Sequence, residues 1–278
     1  MRLGFVGLGN LGGHLAASLL RHGFAVTVHD RDRALADRHL AMGGTWADSA
    51  ADVAAASDVV LTCLPSPAVS EAVLHQMLPA MRTGMTWVEM STLGRDDILR
   101  LAALAQARGI RVLESPVTGG VHLAGRGEIT VLAGGDAEDF NALRPALEAM
   151  GGKIFHIGPL GSAAVIKVIT NMLAFIHLVA DGEALMLAKR AGLDLKTAWE
   201  AIAASSGTSF VHETEGQLIL NGSYDIAFSM DLAGQVQQTF VKERAAYGGQ
   251  AQSTQIVKLL EDVLDTDLRV EGFPSRLE

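Results

Sequence analysis

Three glycines at fixed spacing follow the first apolar run of the chain. Gly7, Gly9 and Gly12 stand between a strand-like segment and a segment of helical period. At such a turn the first glycine permits a tight bend, the second lets the backbone approach a pyrophosphate, and the third allows close helix-to-strand packing. The N–H groups that begin the helix favour a negative charge. The pattern predicts a dinucleotide site formed by Gly7, Leu8, Gly9, Asn10, Leu11 and Gly12.

An acidic residue, Asp30, stands just past the second strand-like run, residues 25–29. An acid at about this distance from the glycines meets the adenosine ribose, where its carboxylate accepts hydrogen bonds and repels a 2′-phosphate. Arg31 favours the opposite choice, because a guanidinium pairs with a 2′-phosphate, although it can also stack on adenine or lie solvated in a turn. We therefore expect NAD as the cofactor, with NADP as the alternative.

A lysine stands inside the most apolar part of the chain, residues 163–188. Lys167 lies there among Val, Ile and Ala, and Asn171 follows four residues later on the same helical face. Burial disfavours the charged form of an amine, so a buried lysine is costly unless it serves the chemistry. The alternative is that Lys167 extends to the surface from an apolar stem. We expect Lys167 to serve the chemistry of the protein.

Composition excludes several other classes of function. The net charge is −9 and Lys and Arg form no run, so a nucleic-acid partner is not expected. The nine histidines are scattered without metal-ligand spacing, so no metal site is expected. The one cysteine, Cys63, lies in an apolar run and is interpreted as a buried core thiol, which fits a reducing cytoplasm.

The apolar segment is not expected to cross a membrane. His177, Asp181 and Glu183 interrupt it, in addition to the lysine and asparagine, and such groups are costly in lipid. The chain begins directly with a strand-like run at residues 2–6, without the pattern of a signal peptide. We therefore expect a cytoplasmic protein whose apolar helix is covered by other helices or by a second subunit, in a homodimer or homotetramer.

The elements that position these residues alternate between two types. From residue 2 to about residue 157, short β-branched apolar runs alternate with segments of helical period. This predicts βαβ crossovers and a mainly parallel sheet with helices on both faces, an α/β fold of the Rossmann type. The predicted strands are residues 2–7, 25–29, 58–63, 86–89, 110–114, 129–133 and 153–156.

The strand pattern stops at the Gly-Pro-Leu-Gly turn of residues 158–161. Beyond it the chain is rich in Ala, Leu, Met and Glu, which predicts helices. The first of these runs from about Ser162 to Arg190, with Gly192 as a left-handed cap. We expect a dinucleotide-binding domain at residues 1–158 and an all-α domain at residues 159–278 that contributes to the substrate site and to dimerisation.

Four further stretches resemble one known family, the 3-hydroxyisobutyrate dehydrogenases, also called β-hydroxyacid dehydrogenases. Cys63-Leu64-Pro65-Ser66 and Glu89-Met90-Ser91-Thr92 look like its two cofactor-facing loops. Glu114-Ser115-Pro116-Val117-Thr118-Gly119-Gly120 is similar to the family's Asp-Ala-Pro-Val-Ser-Gly-Gly signature. Residues 161–171, which contain the lysine and the asparagine, resemble its catalytic helix. The likeness spans nearly the whole chain.

The resemblance implies a hydride transfer between nicotinamide and a small β-hydroxyacid or its semialdehyde. Lys167 would act as base in oxidation and as acid in reduction, and Asn171 would hold the substrate oxygen. The implied cofactor-facing residues are Leu64, Pro65 and Thr92, and the implied substrate-binding residues are Ser115, Thr118, Gly119 and Gly120. The last three would hold the substrate carboxylate; the alternative for Thr118 is an ordinary helix N-cap before a glycine turn.

The chain departs from the family after Gly234. The family continues there with a Lys-Asp pair and a helix, whereas this chain reads Gln-Val-Gln-Gln-Thr-Phe at residues 235–240 and resumes a family-like ending at residues 247–249. Lys242 and Glu243 are the nearest substitute pair. This departure leaves a non-catalytic or impaired dinucleotide-binding protein as one alternative function. Among enzymes, the alternative is an NADP-linked aldehyde-acid reductase of the same fold.

Overall fold

The computed structural model describes residues 1–226, together with residues 261, 265, 267–269 and 271–272. The chain forms two compact units, Met1–Val168 and Ile169–Glu278. The division falls ten residues beyond the domain boundary placed after residue 158, which stays a prediction.

The strands described in the first unit form one sheet of nine strands. Seven of its strands match the predicted strands to within two residues at each end. Two short ones, β3 and β7, were not predicted. The strands are β1 (Arg2–Val6), β2 (Ala25–His29), β3 (Thr45–Trp46), β4 (Val59–Thr62), β5 (Thr86–Glu89), β6 (Arg111–Glu114), β7 (Val117–Thr118), β8 (Ile129–Gly135) and β9 (Gly151–Gly158).

The strands of this sheet follow the order β3-β2-β1-β4-β5-β6-β8-β7, and β9 also pairs with β8. The pairs from β3 to β6 are all parallel, and β9 runs parallel to β8. The strand β8 is antiparallel to β6 and β7. Parallel neighbours need crossover helices, so the mainly parallel order agrees with the alternating pattern of the sequence.

The helices of the first unit cover both faces of the sheet. A 3-10 turn at Arg33–Ala36 precedes α2. The helices are α1 (Gly12–Arg21), α2 (Asp37–Ala41), α3 (Ala50–Ala56), α4 (Pro67–Met77), α5 (Arg95–Gln106), α6 (Gly120–Arg126), α7 (Ala137–Met150) and the start of α8 (Ser162–Arg190).

Two apolar cores lie on opposite faces of the sheet, and alternate residues of the same strand belong to one or the other. On β4, Val59 and Leu61 belong to one core, and Val60 between them belongs to the other. On β5, Trp87 and Val88 divide in the same way. Successive side chains of a strand point to opposite faces, so the sheet is buried on both sides, as a doubly wound fold requires.

The second unit contains most of α8, followed by α9 (Leu195–Ala203) and α10 (Phe210–Leu220). The helix α8 has the predicted bounds, and Gly192 beyond it has φ +78, the left-handed conformation expected of its cap. By length and composition α8 is long and apolar enough to cross a membrane, as core helices of soluble proteins also are. Phe175, Leu185 and Met186 of α8 pack in the core of this unit.

Candidate active site

The ends of four parallel strands lie side by side at one edge of the sheet. Val6 pairs with Thr62, Thr62 with Glu89, and Glu89 with Glu114 in a continuous register. The loops that follow these residues therefore leave the sheet along the same edge. In open α/β sheets, ligands bind outside the carboxyl ends of the strands. This edge brings together the glycine turn and the loops after β4, β5 and β6.

The three glycines of the turn have different surroundings. Gly7 has φ +99, and a Cβ there would lie 2.2 Å from the Cys63 carbonyl oxygen. A Cβ on Gly12 would lie 2.1 Å from the Gly7 carbonyl oxygen. A Cβ on Gly9 would meet nothing within 4 Å. Gly7 and Gly12 are therefore required for packing, whereas Gly9 faces open space, and this cradle fits an approaching pyrophosphate.

Asp30 is held against the glycine turn. Its Oδ2 accepts a hydrogen bond from the Leu8 N–H at 2.7 Å, and its Oδ1 accepts one from the Asp32 N–H at 2.9 Å. A carboxylate has about four acceptor positions, so both oxygens retain capacity for ribose hydroxyls. Arg31 is exposed beside it. The guanidinium of the nearby Arg33 lies over the Trp46 ring, 4.5 Å from its centroid.

A buried polar network joins the loops after β4 and β5. The Leu64 N–H donates to Ser91 Oγ at 2.7 Å, and the Ser91 N–H donates to Glu89 Oε1 at 2.7 Å. Thr62 donates its hydroxyl to Glu89 Oε2 at 2.9 Å, and Trp87 Nε1–H donates to Thr62 Oγ1 at 2.9 Å. Buried networks with satisfied partners restrict conformation, so this one holds both loops in place.

The network was not singled out from the sequence. Its centre, Glu89, is buried, and burial raises the pKa of its carboxyl group against the lowering effect of the hydrogen bonds. An acidic residue ending an otherwise apolar strand was the available signal. Of the predicted cofactor-facing residues, Leu64 and Thr92 are half-buried and Pro65 is exposed. Cys63 is half-buried at the edge of the core, so the expectation of a fully buried core thiol is wrong. Desolvation and the Glu89 charge still raise the pKa of its thiol to about 12.

The predicted carboxylate loop is a strand-to-helix turn. Thr118 ends β7, and Gly119 and Gly120, with φ +119 and +84, lead into α6. The N-cap of α6 is Gly119, so Thr118 is not the cap residue that the alternative interpretation required. Ser115 is fully buried, and its Oγ has no hydrogen-bond partner within the described part of the chain. Buried hydroxyls are normally satisfied, so this atom is suited to bind a ligand.

Lys167 is buried, with 6% of its surface exposed. Burial lowers the pKa of its ammonium to about 8, from an ordinary value of 10.5. The alternative in which the side chain extends into water is therefore wrong. The helix that carries Lys167 begins against a buried carboxylate, Glu114, which accepts hydrogen bonds from two of its N–H groups. The sequence motif included Glu114 but assigned it no role.

Asn171 lies four residues after Lys167 on α8 and is equally buried. Its Nδ2 has no hydrogen-bond partner among the residues that the structure describes. Residues at this spacing share one helical face, so Asn171 places an unused amide donor on the face of α8 that carries Lys167. The described residues hold no group of three His, Cys, Asp or Glu side chains suited to a metal ion. The departure after Gly234, including residues 235–240 and Lys242, lies outside the described residues.

Both parts of the chain match known families. Residues 2–158 match the NAD binding domain of 6-phosphogluconate dehydrogenase, and residues 161–235 match a domain described as NAD-binding of NADP-dependent 3-hydroxyisobutyrate dehydrogenase. The chain is 32% identical over 236 residues to 2-(hydroxymethyl)glutarate dehydrogenase of Eubacterium barkeri, covering 84% of this chain and 78% of the relative. The chain belongs to the 3-hydroxyisobutyrate dehydrogenase family.

Two further similarities support this membership. An NAD-dependent L-serine dehydrogenase of Pseudomonas aeruginosa is 34% identical over 215 residues, 76% of this chain and 72% of the relative. The structure of 3-hydroxyisobutyrate dehydrogenase from Mycobacterium tuberculosis with L-serine superposes with a TM-score of 0.78 at 29% identity, covering 96% and 97% of the two chains. The predicted family, fold class and NAD(P) cofactor are confirmed, and the chain is an NAD(P)-dependent hydroxyacid dehydrogenase.

Proposed function

We propose that this protein transfers a hydride between nicotinamide and a small β-hydroxyacid or its semialdehyde, with Lys167 as the general acid and base. The observation that carries the proposal is a buried amine with a pKa lowered to about 8, on the helix that matches the family's second domain. An amine that titrates near neutral pH can exchange a proton in both directions of the reaction.

The dinucleotide is held by the glycine turn and its neighbours at the sheet edge. Asp30 accepts hydrogen bonds from the adenosine ribose, which supports NAD over NADP, and Arg31 keeps NADP as the alternative. The chemistry that a dinucleotide held there would supply is hydride donation or acceptance at C4 of the nicotinamide. The contributing residues are Gly7, Leu8, Gly9, Asn10, Leu11, Gly12, Asp30, Arg31, Leu64, Pro65 and Thr92.

The substrate is bound through its two polar ends. Backbone N–H groups at Thr118, Gly119 and Gly120 hold the carboxylate, and the unpartnered Ser115 hydroxyl lies at the start of the same stretch. Asn171 donates its unused amide N–H to the substrate oxygen. Lys167 Nζ takes the hydroxyl proton during oxidation and returns it to the carbonyl oxygen during reduction.

The names of the relatives narrow the substrate class. Serine, 3-hydroxyisobutyrate and 2-(hydroxymethyl)glutarate each carry a primary hydroxyl on the carbon β to a carboxylate. We propose a substrate with the same arrangement, whose oxidation produces a semialdehyde. The loop of Thr118 and its two glycines would recognise the shared carboxylate, and the remainder of the molecule would vary.

The test is the formation of reduced nicotinamide, followed by its absorbance, when the protein is mixed with each of a panel of 3-hydroxyacids and either NAD or NADP. We expect turnover with at least one primary 3-hydroxyacid, and faster turnover with NAD. Matched alcohols that lack the carboxylate should react at least about a hundredfold more slowly, because the donors that would bind the carboxylate are left unpaired. Dinucleotide binding without turnover of any acid would instead favour the impaired binding protein suggested by the departure after Gly234.

The two directions of the reaction are expected to depend on pH in opposite ways. The base in oxidation is neutral Lys167, so kcat/KM should rise as pH increases through about 8, where the amine loses its proton. The acid in reduction is the ammonium, so the reverse kcat/KM should fall over the same interval. Rates measured from about pH 6 to about pH 10 check both limbs. A kcat/KM that changes with pH in the same sense for oxidation and for reduction would contradict the assignment of Lys167.

We also propose a homodimer or homotetramer located in the cytoplasm. Four apolar side chains of α8 at helical spacing are exposed by about two fifths each, namely Val165, Ile169, Leu173 and Ile176. Exposed apolar side chains that form a stripe support association with another surface. Sedimentation at working concentration tests the oligomer, and a monomer would contradict it.

A further inference from the structure

A buried carboxylate links the sheet to the start of the helix that carries Lys167. Glu114 ends β6, and only 2% of its surface is exposed. Its Oε1 accepts a hydrogen bond from the Ala163 N–H at 2.9 Å, and its Oε2 accepts one from the Ala164 N–H at 3.0 Å. These partners are 49 and 50 residues away along the chain. Both carboxylate oxygens are therefore used to hold the first turn of α8.

The helix terminus explains why a carboxylate lies there. The first N–H groups of a helix have no partner within the helix, and the helix dipole favours a negative charge at this end. Glu114 satisfies two of these groups in a buried location where water cannot. Lys167 follows Ala164 by three residues, which is less than one turn. A displacement of the first turn would therefore move the lysine with it.

The sheet leaves space for this carboxylate at one residue. Gly134 of β8 pairs with Glu114 across the antiparallel ladder. A Cβ at Gly134 would lie 2.3 Å from Glu114 Oε1 and 3.1 Å from the Ala163 nitrogen. Any larger residue would push the carboxylate away from the helix or the helix away from the sheet. The close approach of β8, Glu114 and α8 thus depends on a glycine that has no need of a positive φ.

We propose that Glu114 is a positioning residue. By binding two N–H groups at the start of α8, it fixes the rotation of this helix and how deeply the Lys167 side chain is buried. The inference rests on the proposed catalytic role of Lys167. It concerns one further residue: the carboxylate acts through the helix backbone and not by touching the reacting atoms.

The test is Glu114→Gln, which preserves the size of the side chain. The amide keeps one acceptor oxygen but turns an NH2 donor toward the other helix N–H. The matched control is Asp136→Asn. Asp136 Oδ1 accepts hydrogen bonds from the Glu138 and Asp139 N–H groups at the start of α7, a helix that carries no predicted site residue.

The first measurement needs neither cofactor nor substrate. Competitive acetylation of the protein at a series of pH values, followed by mass spectrometry, reports the pKa of each lysine. The exposed Lys153, Lys189 and Lys196 serve as references. In Glu114→Gln we expect the pKa of Lys167 to rise from about 8 toward its ordinary value, because a loosened first turn admits water. In Asp136→Asn it should remain at the parent value.

The second measurement is steady-state turnover. Glu114→Gln should lower kcat by about tenfold to a hundredfold and leave the dinucleotide Kd within about twofold, because small displacements of a catalytic group reduce the rate steeply. Asp136→Asn should lower thermal stability and leave kcat unchanged. If Glu114→Gln does not fold, Glu114→Asp replaces it, because aspartate keeps the charge but retracts it by one methylene. This variant should shift the pKa of Lys167 in the same direction by a smaller amount.

The proposal is overturned if labelling of Lys167 is unchanged in the folded Glu114 variant, or if both variants change labelling and kcat equally. A parent protein without turnover would remove the proposed function alone. The labelling experiment would still decide whether Glu114 positions the lysine.

Discussion

Replacing Lys167 with alanine is expected to lower kcat by about a hundredfold to ten-thousandfold, the range that a positioned proton-transfer group contributes. The rate should fall in both directions, since the same Nζ serves as base and as acid. Dinucleotide affinity should remain, because the glycine turn and Asp30 are unchanged. Stopped-flow or steady-state absorbance measures the rate, and fluorescence titration with reduced dinucleotide measures affinity.

The control for this variant is Lys153→Ala. Lys153 is an exposed residue of β9, and its removal takes away the same charge without touching the site. Its turnover should equal that of the parent. Lys167→Ala should fold at least as stably as the parent, because it removes an amine whose charged form is disfavoured by burial. Turnover of Lys167→Ala within a few fold of the parent would remove Lys167 from the mechanism.

Two alanine substitutions in the glycine turn are expected to fail in different ways. Gly12→Ala places a methyl 2.1 Å from the Gly7 carbonyl oxygen, a backbone atom that cannot turn aside. We expect a loss of about 3 kcal/mol in the free energy of unfolding, since overpacking against rigid neighbours is costly. A loss of this size lowers the thermal midpoint by roughly 6 to 12 °C, as measured by calorimetry.

Gly9→Ala is the matched variant, because its Cβ would meet nothing within 4 Å. Its stability should therefore equal that of the parent. The added methyl occupies the open side where the backbone meets a pyrophosphate, so the dinucleotide Kd should rise by at least about tenfold. Normal dinucleotide affinity in a folded Gly9→Ala protein would show that the turn does not bind the pyrophosphate.

Much of the fold followed from periodicity alone. Seven strands and the bounds of α8 were predictable, because apolar runs of four or more residues and a long helical pattern leave a clear signal. The strands β3 and β7 have two residues each, too few to show alternation. Their pairing is decided by neighbouring strands, which a local pattern does not describe.

In the candidate site, too, some residues were predictable from the sequence and others were not. The glycine turn and the buried lysine were predictable from residue types and spacing, and the loop of Thr118 was predictable from its resemblance to the family signature. The roles of Glu89 and Glu114 were not, since their partners come from other elements. A carboxylate at the end of an apolar strand indicates that something must satisfy it, and only the packed structure identifies the N–H and hydroxyl groups that do so.

The chemistry of Cys63 bears on how the enzyme responds to its surroundings. A thiol reacts with peroxides and alkylating agents as its thiolate, and a pKa of about 12 leaves almost none of that species at cellular pH. The one sulfhydryl of the chain thus lies half-buried beside the glycine turn, where it is held as the unreactive thiol. Oxidative stress should therefore leave hydride transfer undisturbed at this position, and the purified protein should keep its activity in air without added reductant.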